Sequence, residues 1–211
     1  MTAAKITNVT QPFFDALDAN KIPYSKLVKE YSTFFDLYMD LFEDETAGGA
    51  SIVGGRIFTR DDITNHNDEI MAAYEKIVAP DPGQFMNYGF LIGHIVGPGV
   101  GMPIADNAIN PVWRNASSFT ITNVIVPDNA TWADKQAGQN YLTNTVDEML
   151  RKASPGGAAY VNEGDLEEPN WQYTFWGDKY SRLLSIRKIW DPYGVFYTRT
   201  TRMSIPNTIY R

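Results

Sequence analysis

The stretch AYVNEGDLEEPNWQYTFWGDKYSRLLSIRKIWDPYGVFY, residues 159–197, joins an alternating segment to an amphipathic helix. In AYVNEGD, alternation along a strand places Tyr160 and Asn162 on one face and Val161 and Glu163 on the other. Apolar and long side chains then recur at helical spacing over residues 180–190, and DPYG follows as a helix stop. The stretch therefore predicts a short strand and a final helix.

The sequence before this stretch switches between helical and strand patterns. Helices are predicted over residues 25–43, 59–78 and 131–152, the last two opened by capping boxes of Thr59 with Asp62 and Thr131 with Asp134. Strands are predicted over residues 51–58, 84–96 and 118–127. In the last of these, Phe119, Ile121 and Ile125 share one side, and threonines and valines share the other. The predicted fold class is α+β, an antiparallel sheet covered by helices on one face.

The composition limits what the 211-residue chain can do. Its 18 Lys and Arg against 25 Asp and Glu give a formal net charge of −7 without a basic cluster, so no nucleic-acid partner is expected. Without cysteine, disulfides, thiolate catalysis and cysteine-based metal sites are excluded. No run of 18 apolar residues and no secretory signal pattern is found, so we expect a soluble cytoplasmic protein without a membrane partner.

Three blocks of the sequence point to one family: SIVGGRIFTR at residues 51–60, NAINPVWRNA at residues 107–116, and the stretch quoted first. In order and spacing they resemble the carboxyl-terminal, substrate-binding half of berberine-bridge-like FAD-linked oxidoreductases. The resemblance implies a single substrate-binding-type domain over residues 1–211. Within it, residues 1–50 are an N-terminal helical part, residues 51–200 a family-like core, and residues 201–211 a divergent tail.

The resemblance also implies a missing partner domain, because the family's flavin-binding domain lies upstream of the matching region. Neither His66 nor His94 lies in a motif like the family's flavin-attachment site. GPGVG at residues 97–101 is followed by Met-Pro, where a phosphate-binding loop would open a helix. We therefore expect no cofactor. The sheet face that the flavin domain would cover is then expected to be exposed, and a homodimer would bury it.

Three residues are the candidate catalytic groups. Tyr160 and Asn162 are placed to hydrogen-bond a ligand carbonyl or phenol, and the resemblance puts polar residues of this strand near the ring system. Edge-strand hydrogen bonding without a ligand is the alternative. His94, in the apolar context FLIGHIV, is predicted to be a buried imidazole, either a proton donor or acceptor or a core residue.

Six further residues are candidates for contacting a substrate: Arg114, Trp113, Tyr88, Glu163, Trp176 and Arg56. The guanidinium groups of Arg114 and Arg56 either brace backbone carbonyls or point to an anionic oxygen. Glu163 opens an acidic run that matches a solvated surface and fits no calcium loop. Trp113 and Trp176 either form flat walls for a polycyclic guest or pack in the core.

A pocket rich in aromatic side chains and poor in ionisable ones suits a reaction whose barrier falls when a flexible reactant is oriented. No nucleophile with a nearby base is apparent. We therefore predict a cofactor-independent cyclase or pericyclase of natural-product metabolism, a direction that the family resemblance implies. It would bind a small hydrophobic, polyunsaturated or aromatic metabolite and direct ring closure or a hetero-Diels-Alder cycloaddition. A subunit of a split FAD-linked oxidoreductase and a non-catalytic carrier of a hydrophobic metabolite are the alternatives.

Overall fold

The computed structural model describes residues 2–42, 51–79, 89–97, 106–127 and 129–197. The chain divides into two compact units, Met1–Gly49 and Ala50–Arg211. The single-domain organisation stays a prediction. Within the described ranges, no helix has the length and apolarity needed to cross a bilayer.

The first unit contains two helices, α1 (Ala3–Ala19) and α2 (Phe34–Leu41). The helix predicted over residues 25–43 is wrong in its first part, because residues 22–31 form no regular structure. The Thr33 hydroxyl accepts a hydrogen bond from the Asp36 amide at 3.1 Å, so the helix begins after this cap and not at Ser25. The sequence patterns did not predict α1.

The second unit is built on a three-stranded antiparallel sheet in the described residues. Its strands are β1 (Ser51–Thr59), β2 (Gly89–Ile95) and β3 (Ala116–Ile125), in the order β1-β3-β2. Ile57 and His94 both lie opposite Phe119, and Arg56 lies opposite Thr120. Directly opposed residues share a face, so Ile57, Phe119 and His94 lie on one face of the sheet and Arg56 and Thr120 on the other.

The helices of this unit follow the predicted capping signals. Thr59 and Asp62 form a capping box at the start of α3 (Arg60–Asn65), and α4 (Asn67–Val78) follows after a break at His66. Thr131 and Asp134 form the second box, at the start of α5 (Trp132–Tyr141). A π-helical turn, Leu142–Val146, joins α5 to α6 (Asp147–Ala153). The last helices are α7 (Trp171–Trp176) and α8 (Tyr180–Trp190), and the latter matches the predicted final helix.

The main core lies between the sheet and the helices α4 to α6. It is formed by Phe58, Ile70, Ala73, Ile77, Val124, Val126, Leu142, Val146, Leu150 and Ala153. These side chains come from one face of β1 and β3 and from the inner faces of the helices. The α+β fold class, with helices against one face of an antiparallel sheet, is therefore confirmed.

The strand predicted from AYVNEGD is wrong. Ala158 exchanges two backbone hydrogen bonds with Ile57, at 2.7 and 3.2 Å, and this isolated bridge does not extend. The next amide, that of Ala159, donates to the carbonyl of Thr174 in α7 at 3.2 Å. Because α7 takes this hydrogen bond, the chain leaves the sheet and forms a 3₁₀ turn over Val161–Glu163.

Candidate functional site

Four ring-bearing side chains lie together on the face of the sheet opposite the main core. We call Trp113, Phe119, Tyr160 and His94 the aromatic wall. Phe119 comes from the central strand and is buried, whereas Trp113 and Tyr160 are half-buried and His94 is exposed. Ile57, Ala116 and Ala158 form the buried base on which these rings pack.

The rings contact one another at close range. The centroids of Trp113, Phe119 and Tyr160 form a triangle with sides of 5.6 to 5.7 Å, and Tyr160 meets each of the other two edge-on at 85° and 87°. The His94 ring lies nearly parallel to that of Phe119, at 15° and 6.0 Å between centroids. Edge-to-face packing of this kind adds about 0.5–1.5 kcal/mol per pair beyond the area buried. The wall is therefore a rigid apolar surface with polar groups at its margin.

Tyr160 and Asn162 are hydrogen-bonded to each other. The Asn162 side-chain amide donates to the Tyr160 hydroxyl oxygen at 2.8 Å. Because that oxygen accepts from Asn162, the phenolic proton is left to donate to another group. The pair can thus present a directed donor to a carbonyl or phenolate oxygen of a ligand on the wall. The strand alternation that suggested this pairing does not exist here, and the 3₁₀ turn brings the two side chains together instead.

The prediction that His94 is a buried imidazole is wrong, because its side chain is exposed. It lies on β2, where the strand contacts the sheet on one side through β3 and no described strand covers its other side. The apolar neighbours in FLIGHIV do not indicate burial, because Ile92 and Ile95 are themselves 44% and 98% exposed. His94 is nevertheless part of the wall through its contact with Phe119.

The block NAINPVWRNA positions Trp113. Asn110 is buried, its side-chain oxygen accepts from the Val112 amide at 3.0 Å, and its side-chain nitrogen donates to the Thr174 carbonyl at 3.0 Å. Asn110 therefore ties the 3₁₀ turn Pro111–Arg114 to α7. Arg114, at the end of this turn, is half-buried and has no hydrogen bond or ion pair with the described residues. It braces no described backbone carbonyl.

Arg56 does not belong to the wall. It lies on the helix-covered face, is 7% exposed, and donates to the Ser154 hydroxyl and carbonyl oxygens at 2.7 and 2.9 Å. Burial lowers the pKa of its guanidinium. Of the two alternatives for Arg56, the structure therefore has the bracing role, and contact with a substrate on the open face is wrong.

The remaining candidates, Glu163, Trp176 and Tyr88, are not among the rings of the aromatic wall. Glu163 is half-buried at the end of the 3₁₀ turn that carries Asn162. Trp176 is half-buried at the end of α7, and no ring contact among the described residues joins it to the wall. Tyr88 lies outside the described residues. Of all these candidates, Trp113, Tyr160, Asn162 and His94 are the ones that the fold brings together.

Phe119, the centre of the wall, was missed as a site residue. The alternation in SFTITNVIV correctly placed Phe119 on the other face of the sheet from Thr120 and Thr122. An alternating strand does not say which face meets the helices, and here Thr120, Thr122 and Val124 do. The face with Phe119 is then the one that the helices of the main core leave uncovered.

Residues 159–201 match the family model for berberine and berberine-like proteins. Over 203 residues the chain is 33% identical to the FAD-linked oxidoreductase sor8 of Hypocrea jecorina, covering 95% of this chain and 34% of that protein. It is 26% identical to the FAD-linked oxidoreductase patO of Aspergillus clavatus, covering 94% of this chain and 34% of that protein.

Two solved structures share the fold. The crystal structure of the VAO-type flavoprotein MtVAO713 from Myceliophthora thermophila C1 matches 95% of this chain and 35% of its own, with a TM-score of 0.80 and 21% identity. That of MtVAO615, from the same source, matches 92% of this chain and 35% of its own, with a TM-score of 0.71 and 24% identity. The chain thus spans about a third of the relatives that it matches, and the resemblance drawn from the three sequence blocks is confirmed.

Proposed function

Because the chain carries a berberine and berberine-like region within the third of FAD-linked oxidoreductases that it matches, we propose that it is the substrate-binding portion of such an oxidoreductase. The observation that carries this proposal is the aromatic wall with its Tyr160–Asn162 pair. Flat rings at fixed angles suit a planar, largely apolar substrate. The phenolic proton of Tyr160 supplies one directed hydrogen bond that orients it.

The described residues offer a surface to one part of FAD. The half-buried rings of Trp113 and Tyr160, backed by the buried Phe119, suit the flat side of a ring system, whether of a substrate or of a flavin. A pyrophosphate needs free amides at a helix start without negative charge. Here α2 to α6 all carry an acidic residue in their first turns, and the starts of α3 and α5 are already capped. The starts of α2 to α6 therefore do not suit the dinucleotide phosphates.

In such an enzyme the flavin supplies the electron acceptor, and this chain's residues have other tasks. The wall would exclude water from one side of the substrate, because the rings of Trp113, Phe119 and Tyr160 pack together with Ile57 and Ala158. Asn162 holds the Tyr160 hydroxyl oxygen in place, so that the phenolic proton points to a substrate oxygen. Arg114, whose guanidinium has no described partner, is available to an anionic group beside Trp113.

The proposal is tested with a chimera in which this chain replaces the matched region of sor8. We expect the chimera to hold flavin, measured by its visible absorbance, and to reduce that flavin when the substrate of sor8 is added. Tyr160→Phe and Asn162→Ala should keep the flavin but slow its reduction by about tenfold, the loss of one hydrogen bond of about 1.4 kcal/mol. Tyr173→Phe is the matched control, because Tyr173 is exposed and has no ring contact with the wall.

Two outcomes would contradict it. A folded chimera without flavin would remove this chain from the flavin-dependent enzymes. A chimera that holds flavin, but in which the Tyr160, Asn162 and Tyr173 variants all react at the parent rate, would remove the wall as the substrate site.

A cofactor-independent cyclase of natural-product metabolism is the second candidate function. It is favoured by the phenol and imidazole of the wall and by the neighbouring Asn162 amide, which can hydrogen-bond a carbonyl without an electron acceptor. In this candidate a second copy of the chain covers the wall, and light scattering should detect a dimer. The isolated chain should change the product ratio or stereochemistry when an unsaturated intermediate cyclises. A carrier would bind the same compound and leave the products unchanged.

A further inference from the structure

Three buried carboxyl groups meet on the helix-covered side of the sheet, away from the aromatic wall. We call Asp147, Asp165 and Glu168 the carboxyl cluster; their residues are 3%, 1% and 5% exposed. Asp147 begins α6, directly after the π-helical turn, and the other two belong to the segment between Asn162 and α7. The charged groups that face Asp147 are Asp165, Glu168, Arg151 and Arg56, and Asp62 faces Arg56.

The cluster is short of positive charge. Arg151 pairs with Glu168 at 2.8 Å, but Arg56 donates its hydrogen bonds to Ser154 and to no carboxylate. Three carboxylates therefore face two guanidinium groups, and Asp62 adds a fourth negative charge on the side of Arg56. Buried carboxylates in excess of their cations are costly, and the cluster lowers that cost by holding a proton.

The hydrogen bonds point to Asp147 as the residue that holds the proton. Both oxygens of Glu168 accept, from Arg151 at 2.8 Å and from Thr174 at 3.1 Å. Asp165 accepts through one oxygen from Gln139 at 2.6 Å and from the Glu167 amide at 2.8 Å, and its other oxygen is buried without a described partner. Asp147 has only the Thr122 hydroxyl at 2.8 Å and a longer contact with the Gly55 amide at 3.3 Å.

The Asp147 carboxyl group is closed off on the side of β1. A Cβ atom added at Gly54 would lie 2.2 Å from an Asp147 carboxyl oxygen, so the carboxyl group lies directly against the β1 backbone. This burial, together with the charges of Asp165 and Glu168, raises the pKa of Asp147 to about 7, against the opposing Thr122 hydrogen bond and Arg151 charge.

The cluster joins three parts of the unit. Through Asp147 it contacts β1 and β3, and through Gln139 and Arg151 it is anchored on α5 and α6. Through Asp165 and Glu168 it holds the segment that follows Tyr160 and Asn162 in the chain. We propose that the carboxyl cluster is a proton-dependent switch: with its proton bound it holds the Asp165–Glu168 segment against α5 and α6, and loss of that proton loosens the segment.

The direction of the pH dependence follows from linkage. The unfolded chain binds the Asp147 proton with a pKa of about 4. The folded chain binds it with a pKa of about 7. Stability from this group is therefore complete below about pH 4 and is lost as the pH rises through about 7. This sign is opposite to that of an ordinary salt-bridged carboxylate.

The test is urea unfolding of the whole chain between about pH 5 and about pH 8.5, for wild type and Asp147→Asn. We expect the wild-type midpoint to fall over this range, and that of Asp147→Asn, which cannot ionise, to fall clearly less. Asp134→Asn is the matched control: it alters the α5 capping box and so shifts the midpoint at every pH, but its midpoint should fall with pH as much as that of the wild type, because Asp134 is exposed. In parallel, the backbone amide signals of Asp165 to Glu168 should titrate near neutrality in the wild-type NMR spectrum and not in that of Asp147→Asn.

A second variant keeps the proposal testable if Asp147→Asn does not fold. Asp165→Asn removes one neighbouring negative charge, so the transition of the wild-type signals should move to lower pH. The proposal is overturned by a wild-type midpoint that stays level or rises between about pH 5 and about pH 8.5. It is equally overturned if the Asp165–Glu168 signals do not titrate, or if Asp165→Asn leaves their transition in place.

Discussion

Arg151 and Lys152 are neighbours in α6 that both pair with Glu148, yet replacing them should have very different effects. Arg151 also pairs with Glu168 at 2.8 Å, and the two side chains are 16% and 4% exposed. Lys152 reaches Glu148 at 3.2 Å and is 75% exposed. Arg151→Met leaves the buried Glu168 carboxylate without its cation, which should lower the free energy of unfolding by about 3–5 kcal/mol. Because Arg151 is partly exposed, we expect the lower end of this range. Lys152→Met removes a solvent-screened pair of at most about 0.5 kcal/mol.

The assay is thermal and urea unfolding of both variants at the same pH. For a unit of this size, about 3 kcal/mol corresponds to a fall in Tm of about 6–12 °C for Arg151→Met, against about 1–2 °C for Lys152→Met. In a Glu168→Gln background, Arg151→Met should cost about 1–3 kcal/mol less, because no buried charge is left behind. Equal losses for the two single variants, or no change in the Gln background, would refute the reasoning.

Three further predictions concern stability. Asp62→Ala should lower the free energy of unfolding by about 2 kcal/mol or more, and Asp134→Ala by about 1 kcal/mol, because both residues complete capping boxes but only Asp62 is buried. Equal losses of the two variants in urea unfolding would contradict this. Gly55→Ala should destabilise the sheet strongly, since its Cβ would lie 2.4 Å from a β3 carbonyl oxygen, whereas Gly93→Ala has open space and should be neutral or stabilising in the same assay. His94→Ala should change the free energy of unfolding by no more than about 1 kcal/mol, because the ring is exposed. Unfolding of this variant would show that the ring contributes more to stability than its exposure indicates.

Local signals were sufficient for many elements. The two Thr–Asp capping boxes, the strands β1 and β3 and the helix α8 all lie where their residues predicted them. Each depends on interactions within a few residues, a cap between positions three apart or an alternating pattern along one strand. The strand predicted over residues 84–96 is described only from Gly89 onward, where it forms β2.

Errors arose where a distant segment decided the local structure. AYVNEGD alternates like a strand, but the Ala159 amide donates its hydrogen bond to the Thr174 carbonyl of α7, and the chain turns away from the sheet. FLIGHIV reads as buried, but His94 lies on a strand that only β3 borders in the described residues. Arg56 stands next to strand residues of the open face, yet its side chain points to Ser154. For AYVNEGD and Arg56 the partner lies far away in sequence, and for His94 no described strand lies on the outer side of β2; no local pattern encodes either.

The sequence by itself determined the secondary-structure signals and the family resemblance, because the caps, the alternation and the three family-like blocks all lie in short stretches of the chain. Only the tertiary structure decided which face of the sheet the helices cover. That choice buried Thr120, Thr122 and Arg56 on one side and enclosed the carboxyl groups of Asp147, Asp165 and Glu168. On the other side it left Phe119 in contact with Trp113, Tyr160 and His94. The physical reason is that an alternating strand offers two faces of similar character, and packing against the helices selects between them.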